Sequence, residues 1–145
     1  MKYSLYMTLI SDEIFDSSSK VPTLLGGRSR LTGEIKFPCP KGALADEFDP
    51  FPLKRNGILW SFTIQRFPPG KPYLGVTDLA MFQPFGIGYV ELKGQIIVET
   101  RIVTDNLEAL KIGMPMELIL ETFQRGDGEG EVTTFAFQPR AEEPL

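Results

Sequence analysis

Cys39 is the single cysteine of this 145-residue sequence, and histidine is absent from it. A structural zinc site takes four ligands, drawn mainly from cysteine and histidine. A Ser-His-Asp or Cys-His catalytic apparatus needs an imidazole to move the proton. The carboxylates, lysines and tyrosines that remain form no recognisable catalytic motif. We therefore predict that the chain holds no metal, is not an enzyme on its own, and has a binding or assembly role.

Composition and charge narrow the class of protein further. The 15 Lys and Arg residues against 19 Asp and Glu give a net charge of -4, so the chain offers phosphate backbones no overall attraction. The apolar stretch near the N-terminus is broken by Asp12 and Glu13, and no run approaches the length of a membrane span. We predict a cytoplasmic protein with one compact core and no membrane contact, and the net charge disfavours a nucleic-acid partner without excluding a local basic groove.

A period-two pattern begins after Asn56 and predicts the first strand. Ile58, Trp60, Phe62 and Ile64 alternate with more polar residues over about nine positions, which indicates one strongly apolar face. Exposed aromatic residues on such a strand could stack on a nucleic-acid base. Aromatic residues that alternate on an apolar face are more often buried, and we assign Trp60 and Phe62 to the core.

Four further strands and one short helix follow the first strand. Glycines at 86 and 88 fit a coiled strand or a bulge, and Asp105 is placed to cap the helix. The predicted strands span 85–92, 95–103, 116–123 and 131–138, and the helix spans 106–111. Five strands with a helix between the third and fourth is the order of an OB-fold barrel. We predict a mainly β chain with an irregular arm at 1–55, a barrel at 56–139 and a tail at 140–145.

The connection between the first two predicted strands is unusually long, at about eighteen residues. Its composition is too apolar for a solvated loop, so other atoms must cover it. One interpretation is a contact surface for a partner or an acyl chain, and the other is a cap on the chain's own barrel. The candidate contact residues are Phe67, Pro68, Pro69, Tyr73, Leu79, Met81 and Phe82.

Several ordered motifs together resemble a known family. They are Gly57-Ile-Leu-Trp-Ser-Phe-Thr-Ile64, Gly88-Tyr-Val-Glu-Leu-Lys-Gly94, Leu110-Lys-Ile-Gly-Met-Pro-Met-Glu-Leu118 and Phe135-Ala-Phe-Gln-Pro139. This combination resembles the acyl-CoA-associated OB-fold family, whose members carry a rubredoxin-like zinc ribbon before the barrel. The resemblance covers roughly residues 22 to 139, and each motif in it is short.

The resemblance implies a ribbon that has lost its metal. Ser29 and Thr32 stand where the family has its first two cysteines, and the second cysteine pair is absent. Cys39 lies beside Phe37-Pro38 and does not match a ligand position. Because hydroxyl groups do not hold structural zinc, we predict a metal-free, degenerate ribbon held by packing on the barrel and by backbone hydrogen bonds.

The resemblance also implies a function. Members of the family resemble one another as non-catalytic subunits that bind thiolase-like acyltransferases or aldolases acting on CoA thioesters. For this chain it implies a thiolase-fold partner, a homodimer or hetero-oligomer, no directly bound cofactor, and a CoA thioester at the partner interface. Two alternatives stay open: an OB-fold protein that binds single-stranded nucleic acid, and an autonomous hydrolase or thioesterase.

Cations are concentrated in the predicted arm and allow two interpretations. They could meet the phosphates of CoA or RNA, or they could be ordinary surface charge, which is the interpretation we favour. They are Arg28, Arg30, Lys36, Lys41, Lys54 and Arg55.

Overall fold

The computed structural model describes residues 12–70, 78–124, 128 and 130–141. Within them the regular secondary structure is mainly β-strand. Short 3-10 helices lie at Asp12–Ile14, Gly42–Glu47 and Leu107–Ala109. The strands are β1 (Leu25–Ser29), β2 (Ile35–Lys36), β3 (Phe48–Pro52), β4 (Asn56–Gln65), β5 (Phe85–Leu92), β6 (Ile96–Ile102), β7 (Pro115–Gln124) and β8 (Glu131–Pro139).

Strands β4 to β8 form a closed barrel in the order β4-β5-β6-β8-β7. All neighbouring pairs are antiparallel except β6 and β8, which run parallel and pair at Ile102 and Phe137. This order, with a short helix between the third and fourth barrel strands, is that of an OB-fold. The fold prediction for this part of the chain is confirmed.

A bulge in β4 changes which side chains reach the core. The register against β5 shifts between Leu59 and Ser61, so one extra residue is inserted at Trp60. Before the bulge Leu59 faces inward and is fully buried, and after it Phe62 packs against the core. Trp60 itself is 54% exposed. The assignment of Trp60 to the core is therefore wrong, because the bulge interrupts the period of two on which it was based.

Two glycines of β5 allow close contact with the neighbouring strands, Gly88 with β4 and Gly86 with β6. A Cβ atom at Gly88 would lie 2.7 Å from the backbone oxygen of Ser61, and one at Gly86 would lie 3.0 Å from Cβ of Ile102. Both positions are inside the barrel, where a Cβ atom at Gly88 would clash with the backbone and one at Gly86 would be in tight contact. The bulge that these glycines suggested belongs to β4, the strand that they face.

The helix between β6 and β7 is shorter than predicted, a single 3-10 turn at Leu107–Ala109. Asn106 caps it, with its side chain accepting a hydrogen bond from the backbone N–H of Glu108 at 3.2 Å. The prediction that Asp105 is the cap is wrong by one residue.

The arm is more regular than predicted. Strands β1 to β3 form an antiparallel sheet in the order β2-β1-β3. Pro50 and Pro52 lie in the edge strand β3, where a missing backbone N–H is tolerated.

Arm and barrel share one hydrophobic core. Phe15, Leu24 and Leu53 of the arm are buried in the same cluster as Leu59 and Met116 of the barrel. The backbone N–H of Leu53 donates to the carbonyl oxygen of Leu24 at 2.9 Å. The segment before β4 is therefore held both by its buried side chain and by its backbone. The division of the chain into an arm at 1–55, a barrel at 56–139 and a tail at 140–145 stays a prediction.

No helix in the described part of the chain is long and apolar enough to cross a membrane.

Candidate functional site

The long connection between β4 and β5 ends in a defined turn. The backbone oxygen of Asp78 accepts hydrogen bonds from the N–H groups of Met81 (3.0 Å) and Phe82 (2.9 Å). Its carboxylate accepts a further hydrogen bond from the N–H of Ala80 at 2.9 Å. This turn fixes the backbone that carries the candidate contact residues Leu79, Met81 and Phe82. Tyr73, another candidate, lies outside the described residues.

The candidate residues of this connection divide into two groups. Phe82 is buried, and its ring meets the ring of Phe85 edge-on at 5.7 Å. Phe67, Leu79 and Met81 are 69%, 70% and 67% exposed. The connection therefore covers part of its own barrel and also presents apolar side chains to solvent, which combines the two interpretations of its sequence. Pro68 and Pro69 are half-buried and belong to neither group.

A cavity of about 550 Å³ lies under the end of this connection. Ile87 on β5 is paired with Arg101 on β6, and both flank inward-facing residues, so the pair lies on the outside of the barrel. Glu121 on β7 and Thr134 on β8 form the equivalent pair on the opposite side of the cavity. The apolar wall consists of Pro69, Met81, Phe82, Phe85, Ile87 and Phe135.

Arg101 and Glu121 form the most buried ion pair of the described residues. The Nε atom of Arg101 lies 2.8 Å from one carboxylate oxygen of Glu121 and 3.1 Å from the other. The Glu121 side chain is only 17% exposed. The guanidinium group of Arg101 also lies over the ring of Phe85, 4.3 Å from its centre, an arrangement that arginine favours. Three elements therefore hold this charged pair in one orientation.

The cavity reaches into a gap in the barrel wall. Because β6 and β8 pair only at Ile102 and Phe137 in the described residues, the strands separate before that point. Thr100 and Phe135, each two residues before that pair, line the cavity. Phe135 is held in turn by the arm, since the ring of Phe37 packs edge-on against it at 5.8 Å.

Ser29 and Thr32, the predicted former ligand positions, now stabilise a turn. The buried hydroxyl oxygen of Ser29 accepts hydrogen bonds from the backbone N–H groups of Leu31 (3.2 Å) and Thr32 (3.1 Å). The hydroxyl oxygen of Thr32 accepts one from Glu34 at 3.2 Å. Among the described residues, no group of three or more His, Cys, Asp or Glu side chains is placed to hold a metal ion.

An exposed patch on the outside of β4 to β6 was missed in the sequence. The rings of Trp60 and Tyr89 meet edge-on at 6.3 Å, and Ile58 and Ile97 lie on the neighbouring positions of the sheet. All four are exposed. Predicting this patch would have required predicting the bulge in β4, and the alternating apolar pattern gives no sign of it.

The cations of the arm are engaged within the chain. Arg28 and Lys36 lie over the rings of Phe51 and Phe48, at 5.8 and 5.6 Å from the ring centres. The remaining contacts are an ion pair of Arg30 with Asp49, an ion pair of Lys41 with Glu13, and hydrogen bonds from Lys54 to Lys93 and from Arg55 to Pro22. These contacts favour a structural role for the charges over a phosphate-binding groove.

The fold and the cavity define an OB-fold domain with a small β-sheet arm, and comparisons with known proteins agree. Residues 52–121 match the family model described as the ChsH2 C-terminal OB-fold domain. The predicted resemblance to acyl-CoA-associated OB-fold proteins is thereby confirmed over residues 52–121.

The chain is also similar in structure to a chain of the solved "Ltp2-ChsH2(DUF35) aldolase", with a TM-score of 0.56 and 21% sequence identity. The similarity covers 81% of this chain and 84% of that one. At this identity it establishes the shared fold. No curated protein matches the sequence.

Proposed function

We propose that this chain is a non-catalytic accessory subunit that binds and stabilises a thiolase-fold enzyme acting on CoA thioesters. The observation that carries the proposal is the solvent exposure of Phe67 and Leu79 on a connection whose turn is fixed by Asp78. Exposed patches of large apolar side chains are typical of a protein contact surface. The partner then supplies the catalytic cysteine-histidine pair, which this sequence cannot assemble because it contains no histidine.

The comparisons support a partner of this kind. The name of the similar structure joins Ltp2 and ChsH2 in one aldolase, and the matched family model is a domain of ChsH2. The corresponding arrangement is an assembly of this chain with a larger enzyme subunit, with a CoA thioester at the interface between the two.

The nucleic-acid alternative is less favoured by the charges around the exposed aromatic residues. Trp60 and Tyr89 have the exposure that base stacking needs. On the paired strands, however, Glu99 lies opposite Tyr89 and Glu91 lies opposite Ile58. Two carboxylates beside the aromatic pair repel a phosphate backbone.

The experiment is a comparison of three variants in complex formation. Phe67→Ser and Leu79→Ser remove apolar surface from the connection, and Ile112→Ser removes an equally exposed residue from a different connection. We expect the first two to weaken recovery of a thiolase-fold enzyme, identified by peptide sequencing, by about tenfold. The Ile112 variant should recover it as the wild type does. Equal recovery by all variants would exclude this connection as the contact surface.

A further inference from the structure

We propose that the cavity under the connection binds an uncharged acyl group, and that its charged residues exclude both free carboxylic acids and the phosphates of CoA. The inference rests on the proposed function in one respect, namely that the acyl group is carried as a thioester. The binding preference itself follows from the cavity and can be tested on the isolated chain.

The size and lining of the cavity fit a small apolar ligand. Its volume of about 550 Å³ lies within the roughly 300–1,000 Å³ range of small-molecule sites. Met81, Phe82, Phe85 and Ile87 give it an apolar wall on the side of the connection. Burial of an aliphatic chain against these side chains provides the affinity.

The charges of the cavity decide the head group. Of the described residues that line it, Arg101 is cationic, and Glu99 and Glu121 are anionic. The Nε atom of Arg101 is already paired with Glu121 at 2.8 Å, so its positive charge is compensated. A ligand carboxylate or phosphate would meet an excess of negative charge. A carbonyl oxygen needs only a hydrogen-bond donor, and the guanidinium N–H groups of Arg101 beyond Nε, together with the Thr134 hydroxyl, are donors at this wall.

The direct test compares three probes: methyl octanoate, sodium octanoate and coenzyme A, each titrated into the 15N-labelled wild-type chain near neutral pH. We expect the ester to shift the amide signals of Ile87, Arg101 and Thr134. The affinity for octanoate should be lower than that for the ester by about tenfold or more, because the carboxylate charge must be buried without a partner. Coenzyme A alone should leave these signals unchanged.

Matched variants locate the site. Ile87→Trp fills the cavity and should weaken ester binding about fivefold or more, whereas Ile97→Trp, an outward residue on the adjacent strand that does not line the cavity, should bind as the wild type does. If Ile87→Trp does not fold, Met81→Ser removes part of the wall from an exposed position and should weaken binding in the same direction. Glu121→Gln uncovers the charge of Arg101 and should bring octanoate affinity close to that of the ester.

The outcomes separate this inference from the proposed function. Equal binding of ester and acid by the wild type, ester-induced shifts located away from the cavity, or no ester binding would each overturn the inference. None of these results bears on partner binding, which is tested through Phe67 and Leu79, two residues that do not line the cavity.

Discussion

Trp60 is the residue on which sequence and structure differ most. A strict alternation places it in the core with Phe62, but the inserted residue at the bulge turns it outward beside Tyr89. Leu59 takes the inward position instead and is fully buried. One backbone irregularity therefore converts a predicted core residue into part of an exposed aromatic patch.

The alternating pattern predicts that truncating Trp60 destabilises the fold more than truncating Leu59, and the structure predicts the reverse order. We expect Leu59→Ala to reduce the free energy of unfolding by about 2–5 kcal/mol, because it leaves a cavity in the core. Trp60→Ala should cost about 1 kcal/mol or less, since it removes mainly exposed surface and one ring contact. Urea unfolding followed by circular dichroism measures both.

The single tryptophan also gives a direct optical test. Its emission should be quenched efficiently by acrylamide in the folded protein, because half of the side chain is exposed. A strongly protected emission would mean that Trp60 is buried and that the bulge is misplaced.

Ser29 provides a second prediction for a single residue. Ser29→Ala removes the acceptor of two backbone N–H groups in a buried turn, so we expect a loss of about 1 kcal/mol in the free energy of unfolding. Thr32→Ala is the control, because its hydroxyl accepts one hydrogen bond at an exposed position and should cost less. A larger loss for the Thr32 variant in urea unfolding would contradict this account of the turn.

Strand β5 depends on Gly88 for close contact with β4. We expect Gly88→Ala to destabilise the fold by about 1–3 kcal/mol, because the added Cβ would lie 2.7 Å from the carbonyl oxygen of Ser61. Gly70→Ala is the matched control, since nothing lies within 4 Å of the added atom there. Thermal unfolding of the two variants should differ clearly, and similar midpoints would show that the strands separate without cost.

The strands were more predictable than the elements that join or modify them. The pattern from 85 to 92 and from 131 to 138 placed β5 and β8 closely, because period-two alternation and flanking turn residues act locally. The sheet of the arm was missed because its strands are as short as two residues and contain prolines. Their pairing is decided by partners that lie far away in the sequence.

The cavity could not be predicted from the sequence for the same reason. Arg101 and Glu121 are 20 residues apart and meet only because β6 and β8 separate beside Ile102. The apolar connection that covers the cavity was recognised from its composition. Which of its side chains turn inward depends on the turn at Asp78, which no local pattern specifies.

The shared core predicts that arm and barrel unfold together. Phe15, Leu24 and Leu53 are buried against barrel residues, so neither part retains a complete core alone. We expect the urea transitions followed by Trp60 fluorescence and by far-ultraviolet circular dichroism to coincide. Two separated transitions would show that residues 1–55 and 56–139 are independent folding units.

The accessory-subunit proposal is tested most directly by the mass of the native complex that co-purifies with this chain at near-endogenous levels, with its members identified by peptide sequencing. We predict a complex that contains a thiolase-fold enzyme. Recovery of the chain alone, or with nucleic acid that is removed by salt, would contradict the proposal.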